Sequence, residues 1–121
     1  MTFQTSNDKM VKNRKRRERR AAERRKNDLK QVMTSVEGRR VIWAVLADAG
    51  VYRACFTQPN AMVVSFNEGM RNIGLKMLSE LQEVCLDELH LAENEAFRYA
   101  KKEAEAEDAI GLDPEKEDDY A

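Results

Sequence analysis

One stretch of the sequence decides the fold: Thr34-Ser-Val-Glu-Gly-Arg-Arg-Val-Ile-Trp-Ala-Val-Leu-Ala-Asp-Ala-Gly50. Thr34 and Glu37 match a capping box, in which a hydroxyl and a carboxylate satisfy the first free amides of a helix. Gly50 is typical of the residue that follows a helix and stops it. Apolar residues cover most of the helix between these signals, so we expect this helix at the centre of the fold. The apolar residues expected to pack are Val36, Val41, Ile42, Trp43, Val45, Leu46 and Ala49.

Helical patterns flank this stretch on both sides. Residues from about Lys12 to Val36 are mostly strong helix formers without Gly or Pro, whereas residues 1–10 show no periodicity and are expected to be disordered. After a connector that begins at Val51, Asn60 is expected to cap a third, long helix that continues to about Ala109 and ends before Gly111 and Pro114. Its packing face is an apolar stripe with steps of mostly three and four residues: Phe66, Met70, Ile73, Met77, Leu81, Val84 and Leu89.

The sequence therefore predicts an all-α fold: a small helical hairpin or bundle with a long C-terminal helix, a basic N-terminal arm and an acidic C-terminal tail. We divide the chain into a basic arm, disordered or helical, over residues 1–33, a helical core over residues 34–100, and an acidic helical extension and tail over residues 101–121. A core of this size buries only ~60% of its unfolded surface. Assembly with copies of itself or with a partner is therefore expected.

Charge is strongly polarised along the chain, although the formal net charge is only −1. Residues 1–60 hold 15 Lys or Arg against 6 Asp or Glu, whereas residues 61–121 hold 6 against 16. The N-terminus is polar, and the longest apolar run, Val41 to Ala47, is far shorter than the ~20 residues that cross a bilayer. We therefore expect a protein that is made in a cytoplasm and keeps both cysteines reduced.

The most prominent functional feature is a basic block within Lys12–Lys26, which holds ten Lys or Arg and two Glu. Such a block binds phosphate backbones by releasing their counterions, and the planar arginine fork suits phosphate. The block lacks aromatic residues, so stacking on single-stranded bases is not indicated. Contact with acidic protein surfaces, nuclear localisation and solubility alone stay open as alternatives. The predicted nucleic-acid contacts are Lys12, Arg14, Lys15, Arg16, Arg17, Arg19, Arg20, Arg24, Arg25 and Lys26.

No arrangement of residues predicts catalysis, a metal or a cofactor. The stretch Gly69–Lys76 resembles a phosphate loop with its lysine one place late and no Ser or Thr behind it, so we expect its glycines to permit close helix approach. Asp87 and His90 match one carboxylate-x-x-His pair, whereas a di-iron site needs two such pairs and two further Glu, and the chain has one histidine. Cys55 and Cys85 lack metal-binding spacing, and both are expected to be small buried hydrophobes.

Polar residues on the second and third helices allow two interpretations. Arg39 and Arg40 begin the second helix, and Glu68, Arg71 and Asn72 form a cluster on the third. For most of these residues we favour exposed ion pairs, each worth ~0–1 kcal/mol. Alternatively, one of the two arginines pairs with Glu68 across the helix interface and fixes its register.

Three sequence blocks follow one another between about Glu37 and Leu81. They are Gly-Arg-Arg with a Trp, then Ala-Gly-Val-Tyr-Arg, then Phe-x-Glu-Gly-x-Arg-Asn-x-Gly. This pattern resembles a family of short proteins from the structural-gene region of short-tailed (podovirus-type) bacteriophages, including one of a Bordetella phage. The resemblance implies a virion-associated or assembly role and no catalytic site. By position, it marks these residues as determinants of fold and packing: Gly38, Arg39, Trp43, Gly50, Tyr52, Arg53, Phe66, Glu68, Gly69, Arg71, Asn72 and Gly74.

Three hypotheses about function follow from the resemblance and the basic block. In the first, the protein is a non-enzymatic internal or head–tail protein of the virion that takes part in assembly or DNA ejection. It contacts DNA through the arm, binds other virion proteins and copies of itself, and lies in the host cytoplasm during assembly. In the second, it is a non-virion nucleic-acid-binding protein. In the third, it is an assembly chaperone or scaffold whose oppositely charged ends pair between copies.

Overall fold

Four α-helices make up the part of the chain that the computed structural model describes, residues 2–53 and 60–111. They are α1 (Thr2–Val32), α2 (Val36–Asp48), α3 (Ala61–Val84) and α4 (Leu86–Ile110). No strand occurs in these two ranges. The predicted all-α class is confirmed, and the protein is a small helical bundle.

The bundle is organised around the contact between α2 and α4, which is the most extensive of its helix pairs. α3 packs on α1, α2 and α4. Apolar side chains from all four helices and from the two turns around α2 meet in one core: Leu29, Met33, Leu46, Val51, Leu81, Cys85, Leu89 and Ala92. Burying such side chains is the main favourable contribution to the folding of so small a domain.

A tight turn joins α1 to α2, and its capping residue differs from the predicted one. Ser35 is the N-cap, because its Oγ accepts a hydrogen bond from the Gly38 amide at 2.9 Å. The Thr34 hydroxyl instead donates to the carbonyl of Gln31. Two adjacent hydroxyl residues give the same capping signal one position apart, so the sequence could not separate them. A Cβ at Gly38 would overlap the carbonyl oxygen of Val32.

The end of α2 follows the predicted pattern. Gly50 has a positive φ of 78°, and its amide donates to the carbonyl of Ala47 at 3.0 Å. The Val51 amide donates to the carbonyl of Leu46 at 3.3 Å, which completes a Schellman-type end. This turn places the Val51 side chain in the core.

α2 is less enclosed than its sequence predicts. Val41 is 61% exposed, and Val36 and Val45 are also exposed. Of the seven apolar residues expected to pack, Leu46 alone is fully buried. The reason is that α3 and α4 cover only part of the helix surface, so one apolar side of α2 faces outward.

The predicted single helix from Ala61 to Ala109 is wrong at one position. α3 and α4 meet at Cys85, whose backbone leaves the helical region with φ −149° and ψ 60°. The Cys85 amide still donates to Leu81 at 2.8 Å, and the Leu89 amide donates to the Cys85 carbonyl at 3.0 Å, so the junction is a kink. No Gly or Pro marks it. Leu81, Cys85 and Leu89 all reach the core around this kink, so the kink lets α3 and α4 share one core.

The remaining helix ends confirm two predicted caps and correct one boundary. The Asn60 side chain accepts a hydrogen bond from the Met62 amide at 2.8 Å, and Gly111 ends α4 with φ 59°. The expectation of disorder over residues 1–10 is wrong from Thr2 onward, because α1 begins there. Once a helix has nucleated, weak helix formers without Gly or Pro extend it readily. Cys55 and Pro114 lie outside the described residues.

The apolar stripe predicted for the third helix packs only in its C-terminal part. Leu81 is fully buried, whereas Phe66 is 67% and Ile73 is 73% exposed. α3 packs on the end of α2 through Gly74, which is buried beside Ala49 and Val51. The N-terminal part of the stripe therefore faces away from the bundle.

Candidate nucleic-acid interface

The basic block, Lys12–Lys26, lies entirely within α1. From here on the term basic arm denotes this block alone, and not the whole of residues 1–33. Every side chain from Thr5 to Arg25 is exposed, and Leu29 is the buried residue that anchors α1 in the core. At ~1.5 Å per residue, the exposed part is a helix about 30 Å long that projects from the bundle. The arm is therefore open to solvent except at its C-terminal end, where Arg25 and Lys26 face α3.

The cations of the arm point in all directions around α1. Successive residues of an α-helix differ by about 100° in direction, so Arg14, Lys15, Arg16 and Arg17 already span most of the circumference. No apolar face lies opposite them. The arrangement suits a partner that surrounds the helix with negative charge, and it excludes the one-sided amphipathic pattern of membrane-surface helices.

Most of these cations have no ion-pair partner among the residues that the structure describes. Arg14 lies 3.7 Å from the Glu18 carboxylate, and both side chains are largely exposed, so this pair contributes little. Within residues 2–53 and 60–111, seven further cations of the arm make no ion pair: Lys12, Lys15, Arg16, Arg17, Arg19, Arg20 and Arg24. Their charges are free to interact with an external anion.

Arg25 and Lys26 have a different position from the rest of the arm. The Arg25 Nε donates to Glu80 Oε2 at 2.9 Å, and the Lys26 Nζ lies 3.4 Å from Glu83. Both carboxylates belong to α3, so these two cations hold α1 against α3 next to Leu29. Sequence reasoning grouped them with the nucleic-acid contacts, because no local signal indicates partners more than fifty residues away.

Arg39 is buried and joins α2 to α4 and to the turn that follows α1. Its Nη2 lies 2.8 Å from Glu95 Oε1, and its Nε donates to the same carboxylate at 3.0 Å. Its Nη1 donates to the carbonyl of Met33 at 3.0 Å. The alternative that pairs Arg39 or Arg40 with Glu68 is wrong, because Glu95 of α4 takes that place and Arg40 is exposed. Sequence reasoning missed Glu95.

Several residues of the three sequence blocks meet at the C-terminal end of α2. The Trp43 ring stacks on Tyr52, with centroids 5.5 Å apart and planes at 29°. Arg53 Nη2 donates to the carbonyl of Ala47 at 3.0 Å. A Cβ at Gly74 would lie 2.6 Å from Val51 Cγ2 and 2.7 Å from the Ala49 Cβ, so the predicted close helix approach is found there.

The other residues of the third block do not join this cluster. Phe66, Gly69 and Asn72 are exposed, and a Cβ at Gly69 would meet nothing within 4 Å; the expected close approach is absent there. Glu68 is half-buried. Arg71 is also half-buried, and its Nε is enclosed without a hydrogen-bond partner among the described residues. Packing within the described bundle therefore explains only some of the residues of the third sequence block.

Two side chains have a raised pKa. Burial raises the pKa of the Tyr52 phenol, and the negative charge of Glu93 raises it further. Burial also raises the pKa of the Cys85 thiol, with Glu88 acting in the same direction and Lys30 against it. Both groups stay protonated at neutral pH, so Cys85 is a buried small residue, as predicted, and does not supply a reactive thiolate.

Two further observations concern metal ions and membranes. Among residues 2–53 and 60–111, no group of three or more His, Cys, Asp or Glu side chains could hold a metal ion, and His90 is exposed. None of the described helices is long and apolar enough to cross a membrane.

The fold and the arm together define a small all-α protein whose compact bundle carries a projecting basic helix. The chain belongs to the Bbp19-like phage protein family, whose model matches residues 29–95. It is therefore a bacteriophage protein, and the resemblance seen in the sequence is confirmed. No curated protein and no solved structure matches it.

The limits of the family match coincide with those of the packed bundle. Leu29 is the first buried residue of the described chain, Ala92 is the last, and Glu95 pairs with Arg39. The basic arm and the exposed C-terminal part of α4 lie outside the match. The family match thus covers the bundle and not the arm.

Proposed function

We propose that this phage protein is a non-enzymatic structural protein of the virion, internal or at the head–tail region, that contacts DNA through its basic arm. The observation that carries the proposal is a set of cations that make no ion pair within residues 2–53 and 60–111, on a helix that projects from the bundle. Double-stranded DNA carries one negative charge per ~1.7 Å of its axis and binds such a helix through counterion release. The contact is to the backbone and does not depend on base sequence.

The distribution of charge around α1 supports duplex DNA as the partner. The major groove is ~12 Å wide and admits an α-helix, with phosphates along both of its walls. A helix with cations on nearly opposite sides, such as Arg14 against Arg16 and Lys15 against Arg17, meets phosphate in both directions. A helix that lay on a flat acidic surface would use only one of its sides.

The bundle supplies surfaces for assembly with other virion proteins and with copies of itself. Phe66, Ile73 and Val41 are large apolar side chains that are more than half exposed. Apolar patches on small soluble domains commonly mark protein contacts. In this proposal the bundle holds the protein in the particle, or in the assembling particle in the host cytoplasm, and the arm reaches the DNA.

The composition of purified particles tests the virion location. We expect mass spectrometry of nuclease-treated, salt-washed particles to detect the protein at a stoichiometric level relative to the portal. A variant with glutamine at Arg16, Arg17, Arg19 and Arg20 should still enter the particle, because the bundle carries assembly. Absence of the wild-type protein from washed particles would contradict the proposal.

The polarised charge supports a second function, that of an assembly chaperone or scaffold. The exposed end of α4 carries Glu103, Glu105, Glu107 and Asp108, which could pair with the arm of another copy. This function predicts salt-sensitive oligomers without nucleic acid, and no copies in the mature particle. A non-virion nucleic-acid-binding protein would also be absent from particles, but the isolated protein would bind duplex DNA.

A further inference from the structure

A groove of about 450 Å³ runs between α2 and α4, and none of its lining residues belongs to the basic arm. Its walls are apolar and aromatic, formed by Val36, Trp43, Ala92, Ala96 and Tyr99. One face of the Trp43 ring is already covered, because Tyr52 stacks on it. The groove therefore offers a half-buried indole and a phenol ring to a partner.

Three cations stand along this groove: Arg40, Arg98 and Lys102. All three are exposed, and none makes an ion pair with another residue of the described chain. The one carboxylate of the lining is Glu95, and it is already paired with Arg39. The site thus combines aromatic walls with uncompensated positive charge, which suits an acidic peptide that also carries an apolar or aromatic side chain.

We propose that this groove is a binding site for an acidic, aromatic-containing peptide segment, and that its occupant is residues 112–121 of the same chain. This segment reads Leu-Asp-Pro-Glu-Lys-Glu-Asp-Asp-Tyr-Ala, with five carboxylates against one lysine. Its acidic side chains complement Arg40, Arg98 and Lys102. Tyr120 supplies an aromatic ring for the wall formed by Trp43 and Tyr99.

The position of the segment makes this binding possible within one chain. α4 ends at Ile110, and Gly111 takes a left-handed conformation that ends the helix there. Tyr99 lies ~18 Å back along α4 from Gly111 at 1.5 Å per residue. Ten residues span up to ~33 Å when extended, so Tyr120 and the three acidic residues before it can reach the groove. The inference is independent of DNA binding by the arm.

Trp43 reports directly on the groove, because it is the single tryptophan of the chain. The experiment compares full-length proteins by the indole N–H resonance of Trp43 and by acrylamide quenching of its fluorescence. A tail variant carries E115Q, E117Q, D118N and D119N. A matched control removes four carboxylates from the exposed end of α4, with E103Q, E105Q, E107Q and D108N. A groove variant carries R40Q, R98Q and K102Q.

We expect the quenching constant to rise by about two-fold in the tail variant, because the segment covers the ring face opposite Tyr52. The groove variant should show the same rise. The control should match the wild type, and the wild-type indole resonance should move to the tail-variant position between about 0.05 and 0.5 M salt, since screening weakens the contact. These differences should not depend on protein concentration.

Three results would overturn the proposal. If the tail variant and the wild type give the same resonance and the same quenching, residues 112–121 do not occupy the groove. If the control changes the Trp43 signals as much as the tail variant does, the loss of four negative charges explains the effect, whichever segment carries them. If the difference disappears on dilution, the segment that binds belongs to a second copy.

Discussion

At the scale of single residues, the two glycines of α3 offer a matched test of the packing. Gly74→Ala should destabilise the protein by about 1–2 kcal/mol, because its Cβ would press on Val51 and Ala49 and overpacking outweighs the gain in helix propensity. Gly69→Ala should stabilise it by up to ~1 kcal/mol, since open space surrounds that position. Urea unfolding followed by circular dichroism measures both. Equal effects at the two positions would contradict the described approach of α3 to α2.

Arg39 is the second residue whose role can be tested. Arg39→Met should lower the free energy of unfolding by about 3 kcal/mol, because it leaves the partly buried Glu95 carboxylate without its partner. The control is Arg40→Met on the same helix, where the side chain is exposed and the expected change is within ~0.5 kcal/mol.

A double-mutant cycle separates the pair from simple loss of packing. Adding Glu95→Leu to Arg39→Met should recover stability, since no unpaired charge is then left in the interior. Strictly additive effects of the two substitutions would show that the pair does not join α2 to α4.

Residue-level signals that act locally were predictable, and those that act across the fold were not. Asn60 begins a helix, and Gly50 and Gly111 end helices, by hydrogen bonds or backbone conformations within a few residues, so the sequence indicates them. Arg39 and Glu95 are 56 positions apart, and only the packing of α4 on α2 brings them together. The predicted DNA contacts of the arm include Arg25 for the same reason. Its partner Glu80 lies on α3, 55 positions away, and no local signal indicates that contact.

At the scale of elements, α1 is one helix with two environments. Its arm contributes no buried residue and meets α3 at Arg25 and Lys26, whereas its last turns dock in the core through Leu29. We expect amides between Lys12 and Arg24 to exchange hydrogen rapidly and the Met33 amide, which donates to the Leu29 carbonyl at 3.1 Å, to exchange slowly. Hydrogen exchange measured by NMR, with and without duplex DNA, checks this.

Addition of DNA should slow exchange in the arm and leave the amide of Met33 unchanged. Slow exchange along the whole of α1 in the free protein would mean that the arm is covered by some other part of the molecule. The helix itself was predictable from composition, but its start at Thr2 was not, because residues 1–10 carry no apolar periodicity.

The kink at Cys85 shows how an element can depend on the whole fold. Composition alone favours one continuous helix through this point, and the sequence predicts one. The bundle instead needs α4 to return to α2 while Leu81, Cys85 and Leu89 stay in the core. Tertiary packing therefore overrides a local preference that has no Gly or Pro to interrupt it.

At the scale of the whole molecule, the family match and the basic arm describe different parts of one chain. The matched residues 29–95 contain every buried residue of the described structure, which explains why the middle of the sequence identifies the family. The arm lies before them and carries its charges on a separate helix. A shared bundle with its own charged extension is consistent with a protein that is held by assembly and reaches nucleic acid.

The salt dependence of duplex binding shows whether the exposed cations of the arm contact DNA phosphates. The measurement compares the wild type with R16Q/R17Q/R19Q/R20Q and with the charge-preserving variant R16K/R17K/R19K/R20K. All three should keep the same helix content, since Arg, Lys and Gln have similar helix propensities. We expect the slope of log K against log salt to fall in magnitude by about 3.6 in the glutamine variant, because four cations are lost and each phosphate contact contributes ~0.9. The lysine variant should keep nearly the wild-type slope. Equal slopes for the wild type and the glutamine variant, or no duplex binding by the wild type at low salt, would contradict the assignment of the arm to DNA.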